Sequence, residues 1–90
     1  ENSLKFKSKL LIIYPYSISI SLLKEVLLRM GIKFILTNEI KKASIIVGLN
    51  KHLDKNLSIT ELANRYNTPI YTFNSLSYYQ LIRLFSTINY

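Results

Sequence analysis

The sequence predicts an α/β fold, a small doubly wound parallel sheet of four strands in the order 2-1-3-4 with helices on both faces. Short apolar runs rich in β-branched residues alternate along the chain with segments of helical periodicity. The runs at residues 10–14 and 44–49 are apolar without alternation, which indicates strands buried on both faces. Parallel strands joined by right-handed crossovers are the simplest assembly of the order β-α-β-turn-β-α-β-α.

The first strand and the first helix meet at a proline. Pro15 cannot donate a hydrogen bond to a sheet, so we expect it to end the first strand. Ser17 or Ser19 then caps a helix that runs to about Met30, with its apolar residues along one stripe. Gly31 is suited to the position just beyond this helix, because glycine adopts the left-handed conformation that such positions require.

The remaining elements follow from the same signals. They are a second strand at residues 33–37, a helical turn capped by Asn38, the third strand, a helix at 57–66, a fourth strand at 70–73 and a last helix capped by Ser75 or Ser77. Thr68 and Pro69 close the helix before the fourth strand, because the residue before a proline disfavours helical geometry.

One domain accounts for most of the chain. Residues 9–90 follow the α/β pattern and are expected to form a single domain. Residues 1–8 lie outside the pattern and are expected to be a linker or an edge strand, because Leu4 and Phe6 alternate with lysines. The sequence does not begin with methionine, so we expect it to be a fragment of a longer protein.

The composition limits the classes of function. The 90 residues contain no cysteine and one histidine, which removes disulfides, thiolate nucleophiles and cysteine-based zinc sites and argues against a histidine metal site. No apolar run reaches the roughly 18 residues that span a bilayer, so we expect a soluble protein without membrane contact. The net charge of +7 favours an anionic partner, although abundant Lys and Asn also fit a base-composition bias.

The candidate binding residues follow the first and third strands. In an open α/β sheet, a ligand binds beyond the carboxyl ends of the strands, where the strand order reverses. Ser17 and Ser19 precede the first helix at that point, and Lys51 and His52 follow the third strand. Free N–H groups at the helix start favour an anion, so these four residues form a candidate anion or nucleic-acid site. The simpler interpretation is that the serines only cap the helix.

No catalytic constellation is visible in the sequence. His52 has no adjacent serine or cysteine partner, and a packed or loop histidine is the commoner case. The acidic residues are scattered over different elements; they are Glu1, Glu25, Glu39, Asp54 and Glu61. We therefore predict no catalytic and no metal-binding residues.

The aromatic residues allow two interpretations. Seven tyrosines and four phenylalanines are suited to stacking on single-stranded nucleic acid. Tyr66, Tyr71, Phe73 and Phe85 fall in core-like registers, and Phe34 lies inside a strand. The plausible surface aromatics are Tyr14, Tyr16, Tyr78 and Tyr79. The basic residues are dispersed, which favours a solvated surface over a binding stripe.

The loops taken together resemble a known domain. The resemblance rests on residues 14–19, Leu36–Thr37 with the Ala43 segment, residues 49–52, Ala63, and Pro69–Ile70. In order and spacing, over roughly residues 10–84, these resemble the C-terminal α/β domain of the plastid and cyanobacterial family called hypothetical chloroplast reading frame forty-five. That family is similar to the sporulation stage III AA ATPases and carries an AAA-type P-loop ATPase module ahead of this domain.

The chain departs from that family's pattern at three positions. Ser17, Ile20 and Asn50 stand where glycine or arginine is more usual, whereas His52 matches. The chain contains no G-x-x-x-x-G-K-[ST] loop, so nucleotide hydrolysis would belong to another module.

The resemblance implies a non-catalytic accessory domain of a plastid AAA-type ATPase, which is not itself an enzyme and helps its parent engage nucleic acid. Its expected partners are the parent ATPase module and single-stranded nucleic acid, its expected location is the plastid, and no cofactor is expected in this fragment. The alternative is a docking or oligomerisation module that meets the ATPase or another copy of the chain. A weaker alternative is a receiver for a small ligand at the switch point.

Overall fold

Four parallel strands form a single sheet. The strands are β1 (Leu11–Tyr16), β2 (Phe34–Leu36), β3 (Ile45–Leu49) and β4 (Ile70–Phe73). The helices are α1 (Ile20–Arg29), α2 (Asn50–Leu53), α3 (Leu57–Tyr66) and α4 (Tyr78–Thr87), with a 3₁₀ turn at Ile40–Lys42 between β2 and β3. The sheet order is β2-β1-β3-β4, which confirms the predicted fold. The computed structural model describes residues 10–88, so the predicted linker or edge strand at residues 1–8 lies outside the described residues.

The core is divided between the two faces of the sheet. On one face, Ile13 of β1 and Val47 of β3 pack with buried side chains of α1 and α4, such as Leu23 and Leu81. On the other face, Ile46 packs with residues of the 3₁₀ turn, α2 and α3. Helices therefore cover both faces, and the sheet is doubly wound as predicted.

Both ends of α1 agree with the sequence signals. Ser19, rather than Ser17, is the N-cap, and its Oγ accepts a hydrogen bond from the N–H of Leu22 at 3.3 Å. At the other end Gly31 has a φ of 71°, and its N–H donates to the carbonyl of Leu28. The expected glycine beyond the helix is confirmed.

Pro15 does not end β1, contrary to the sequence-based expectation, because the strand continues to Tyr16. Alternate residues of a parallel strand direct their N–H and C=O groups to the same side. Ile13 faces β2, because its carbonyl accepts the N–H of Thr37. Pro15 faces the same side, but β2 has already ended at Leu36, so the missing N–H of the proline falls where no strand needs it.

Two local structures differ from the sequence-based assignment. The 3₁₀ turn is not capped by Asn38, because the N-cap position is Glu39, whose N–H donates to the Oγ1 of Thr37 at 3.1 Å. The residues after β3, expected to be a loop, form the short helix α2. Four residues are too few to show helical periodicity in a sequence.

The longer helices each have 10 residues, a length of about 15 Å. The Arg29 guanidinium of α1 lies 5.8 Å from the ring centre of Tyr78, which places the start of α4 beside the end of α1. Across residues 10–88, no helix combines the length and the apolar character needed to cross a membrane.

Candidate functional site

The segments after β1 and β3 meet at one edge of the sheet. The two strands are parallel neighbours, and their carboxyl ends are aligned in the pairing register. The chain leaves β1 toward β2 and leaves β3 toward β4, so the strand order reverses between them. The structure thus brings Ser17 and Ser19 to the same edge as Lys51 and His52. We call residues 17–21 together with residues 50–52 the corner.

The β1 side of the corner offers backbone N–H groups. Ser17 has a φ of 59°, in the left-handed region, and turns the chain from the strand into the cap. The Oγ of Ser19 accepts from Leu22 and lies 3.3 Å from the Oγ of Ser21. The N–H groups of Ile20 and Ser21 belong to the first helical turn, where the helix supplies no carbonyl to accept them. Ser19 therefore acts as a cap, and the backbone N–H groups are the donors available to an anion.

Gly48 allows the two sides of the corner to approach closely. A Cβ atom at this position would lie 2.9 Å from the carbonyl oxygen of Tyr16 and 3.1 Å from Cδ1 of Leu53. The first contact is with backbone, which cannot move without shifting the end of β1. The sequence contains no signal for this role, because the close approach depends on how β1, β3 and α2 pack together.

The β3 side of the corner offers side chains of α2. Lys51 is exposed, and none of the ion pairs formed by the described residues involves it. His52 is half-buried, and its Nδ1 is buried without a hydrogen-bond partner within residues 10–88. The Nδ2 of Asn50 donates to Oδ1 of Asn74 at 2.8 Å and ties α2 to the loop after β4.

The tyrosine near the corner has a structural role. The Tyr16 hydroxyl accepts a hydrogen bond from Nδ2 of Asn56 at 2.9 Å, and the Oδ1 of Asn56 caps α3 by accepting from the N–H of Ile59. Of the four tyrosines predicted at the surface, only Tyr79 is largely exposed, at 66%, and the other three are half-buried. Tyr66, expected in the core, is 45% exposed at the end of α3.

Two acidic side chains form ion pairs outside the corner. Glu25 lies 3.7 Å from Arg29 on α1, and Glu39 lies 3.2 Å from Lys42 at the 3₁₀ turn. Asp54 follows α2 at its C-cap. In the part of the chain that the structure describes, no three His, Asp or Glu side chains are grouped so that they could hold a metal ion.

Together these features define a doubly wound α/β domain with a candidate anion-binding corner at the carboxyl edge of its sheet. A family model described as phosphotyrosine protein phosphatase matches residues 11–89. The chain therefore belongs to the phosphotyrosine protein phosphatase family. No curated protein and no solved structure matches the chain.

This family match corrects the resemblance drawn from the loops. The match covers residues 11–89 and supports neither an AAA-type ATPase parent nor a plastid protein. The interpretation as a non-catalytic accessory or docking domain of such an ATPase is therefore wrong. The expectation that the chain is not an enzyme is contradicted by a family described as a phosphatase. Short loop motifs misled the interpretation, because capped turns and buried strands of this kind recur in many α/β domains.

Proposed function

We propose that this domain binds phosphate monoesters of the phosphotyrosine type at the corner. The observation that carries the proposal is that the start of α1 lies at the same edge of the sheet as Lys51 and His52, across the point where the strand order reverses. Backbone N–H groups at a helix start bind phosphate oxygens, and a lysine adds a positive charge without demanding a fixed geometry. Membership of a phosphotyrosine phosphatase family supplies the class of ligand.

Hydrolysis at the corner would follow a route without cysteine. The reaction forms a bond from a water oxygen to phosphorus, breaks the bond from phosphorus to the phenol oxygen, and transfers a water proton to that oxygen. The chain has no cysteine, so no phosphocysteine intermediate can form on it. The described hydrogen bonds of Ser19 join it to Leu22 and Ser21 and not to a base that would activate it. We therefore assign the attack to water, with the N–H groups of the corner stabilising the phosphate oxygens.

Turnover of p-nitrophenyl phosphate by the purified chain is expected to be unaffected by iodoacetamide. Alkylation inactivates a phosphatase that attacks with a thiolate, whereas this chain offers no thiol. Initial rates are measured before and after treatment, with a thiol-dependent phosphatase treated in parallel as the control. Loss of the rate on alkylation would assign the turnover to another protein in the preparation. Binding of phenyl phosphate without turnover would restrict the proposal to recognition.

Lys51→Glu is expected to weaken the binding of phenyl phosphate by about fivefold to tenfold. An exposed charge contact contributes about 1 kcal/mol or less, and the reversal replaces an attraction by a repulsion. The measurement is a titration of backbone amide signals by NMR at low and high salt. The difference from wild type should shrink as salt rises, because screening acts over about 8–10 Å.

Lys33→Glu is the matched control for this measurement. Lys33 is also exposed, but it precedes β2 at the opposite edge of the sheet, where its carbonyl accepts the N–H of Leu11. We expect less than about a twofold loss, because the substitution changes the net charge equally but lies far from the corner. Equal losses for the two substitutions would mean that the positive charge acts diffusely and that the serine turn is only a helix cap.

Single-stranded nucleic acid is the competing ligand. The net charge of +7 attracts any polyanion, and a phosphodiester carries one charge where a monoester carries up to two. The corner should therefore prefer phenyl phosphate to oligothymidylate at equal phosphate concentration. Preference for the oligonucleotide would favour a nucleic-acid partner instead. Association that depends on protein concentration and not on salt would favour self-association.

A further inference from the structure

A cleft lies beside the carboxyl end of β4, at the same edge of the sheet as the corner. It has a volume of about 380 Å³ and lies between the end of β4 and one side of α4. Its apolar wall comes from Phe73 and Leu84, and its polar lining comes from Thr72, Asn74, Gln80, Arg83 and Thr87. We call it the Arg83 cleft. Sequence reasoning did not find it, because its residues come from two elements that meet only in the fold.

Two polar groups of the Arg83 cleft are set as donors. The Oδ1 of Asn74 already accepts a hydrogen bond from Asn50, which leaves the Nδ2 of Asn74 to donate. The guanidinium of Arg83 carries donors only, in a planar fork, and forms none of the ion pairs found among residues 10–88. No carboxylate lines the cleft. The charge of Arg83 and these two donor groups therefore suit an anion.

Another open cleft among residues 10–88 has a different electrostatic character. It has a volume of about 250 Å³ and lies between the 3₁₀ turn and α3, with Tyr14 and Leu62 in its lining. Glu39 and Lys41 both line it and form an ion pair at 3.9 Å. The charges of Glu39 and Lys41 neutralise each other in that cleft, whereas Arg83 forms none of the ion pairs among residues 10–88.

We propose that the Arg83 cleft binds a carboxylate side chain of the peptide that carries the phosphotyrosine, a proposal that rests on the function assigned to the corner. A carboxylate matches the planar fork of Arg83 with two parallel hydrogen bonds. The apolar wall formed by Phe73 and Leu84 suits the methylene groups of a glutamate side chain, which a second phosphate group would lack. The specific ligand is therefore a phosphotyrosine peptide with an acidic neighbour.

The sheet sets the distance between the corner and the Arg83 cleft. β3 lies between β1 and β4, so Ser17 and Asn74 follow strands that are two strand spacings apart, about 10 Å. An extended peptide advances about 3.3 Å per residue, which places the acidic residue about three positions from the phosphotyrosine. The hydrogen bond between Asn50 and Asn74 joins the two sites through α2.

The test compares phosphotyrosine peptides that carry Glu or Gln about three positions before or after the phosphorylated residue. We expect wild type to bind one Glu peptide about threefold to tenfold more tightly than its Gln counterpart, as measured by calorimetry. Arg83→Gln should abolish this preference, and Arg83→Lys should keep only part of it, because lysine lacks the fork. Arg65→Gln is the matched control, since Arg65 is an exposed arginine at the end of α3 on the other face of the sheet, and it should keep the full preference.

A titration with glutarate, followed through the side-chain amide NMR signals of Asn74, tests the cleft without phosphotyrosine. Glutarate-induced shifts in wild type that disappear in Arg83→Gln would support the Arg83 cleft. If neither peptide binds but these shifts are seen, the corner is overturned and the cleft stands. Equal affinity of wild type for the Glu and Gln peptides would overturn the carboxylate site and leave the corner standing. Loss of inorganic phosphate binding in Arg83→Gln would also overturn the carboxylate site, because Arg83 would then belong to the phosphate site.

Discussion

The Leu81→Ala protein is expected to have a free energy of unfolding about 2–5 kcal/mol below that of wild type. Leu81 is fully buried at 0% exposure and belongs to the core cluster that joins α4 to α1 and the sheet. Truncation removes buried apolar surface and leaves a cavity that the surrounding side chains fill only in part. Because small domains are stable by only about 5–15 kcal/mol, this loss is a large share of the total. Urea denaturation followed by circular dichroism measures it.

Tyr79→Ala is the matched control on the same helix. Tyr79 is 66% exposed, so its removal should change the free energy of unfolding by less than about 1 kcal/mol. Similar losses for Leu81→Ala and Tyr79→Ala would contradict the packing of α4 described above. A normal value for both would mean that α4 contributes little to the folded domain.

Gly48→Ala is expected to lower the free energy of unfolding by about 1–3 kcal/mol and to weaken phosphate binding at the corner. The new Cβ would lie 2.9 Å from the carbonyl oxygen of Tyr16, closer than real Cβ contacts allow. Relief requires the end of β1 to move away from β3, and this movement displaces Ser17 and the start of α1. Urea denaturation gives the stability, and titration with phenyl phosphate gives the affinity.

Gly31→Asn serves as the control for Gly48→Ala. A Cβ atom at Gly31 would meet nothing within 4 Å, and asparagine tolerates the left-handed φ of 71° found there. We expect a stability change within about 1 kcal/mol and an unchanged affinity for phenyl phosphate. If Gly48→Ala lost stability but bound phenyl phosphate as wild type does, the corner would not depend on the close approach of β1 and β3.

The parts of the fold that the sequence predicted correctly depend on local signals. Ser19, Ser77 and Gly31 mark helix ends through hydrogen bonds and backbone geometry within a few residues, and these signals are visible in a single sequence. The strand order follows from alternating strands and helices together with right-handed crossovers. The same topology accounts for the meeting of the segments after β1 and β3.

The features that escaped prediction depend on neighbours distant in sequence. Pro15 stays within β1 because β2 is short, and nothing near Pro15 in the chain reports where β2 ends. The constraint on Gly48 comes from Tyr16 and Leu53, and the Arg83 cleft needs α4 to lie beside the end of β4. The family also escaped prediction, because its match extends over residues 11–89 whereas the loop motifs sample only a few positions.

The proline of β1 has a consequence for association between chains. Beyond the end of β2 at Leu36, the last residues of β1 have no neighbouring strand on that side among residues 10–88. An open strand edge of this kind invites an extended segment of another molecule to add to the sheet through backbone hydrogen bonds. Pro15 keeps its carbonyl oxygen but has no backbone N–H. A segment that paired with β1 at this residue would therefore lose one hydrogen bond. We therefore expect Pro15 to disfavour strand addition immediately beside the corner.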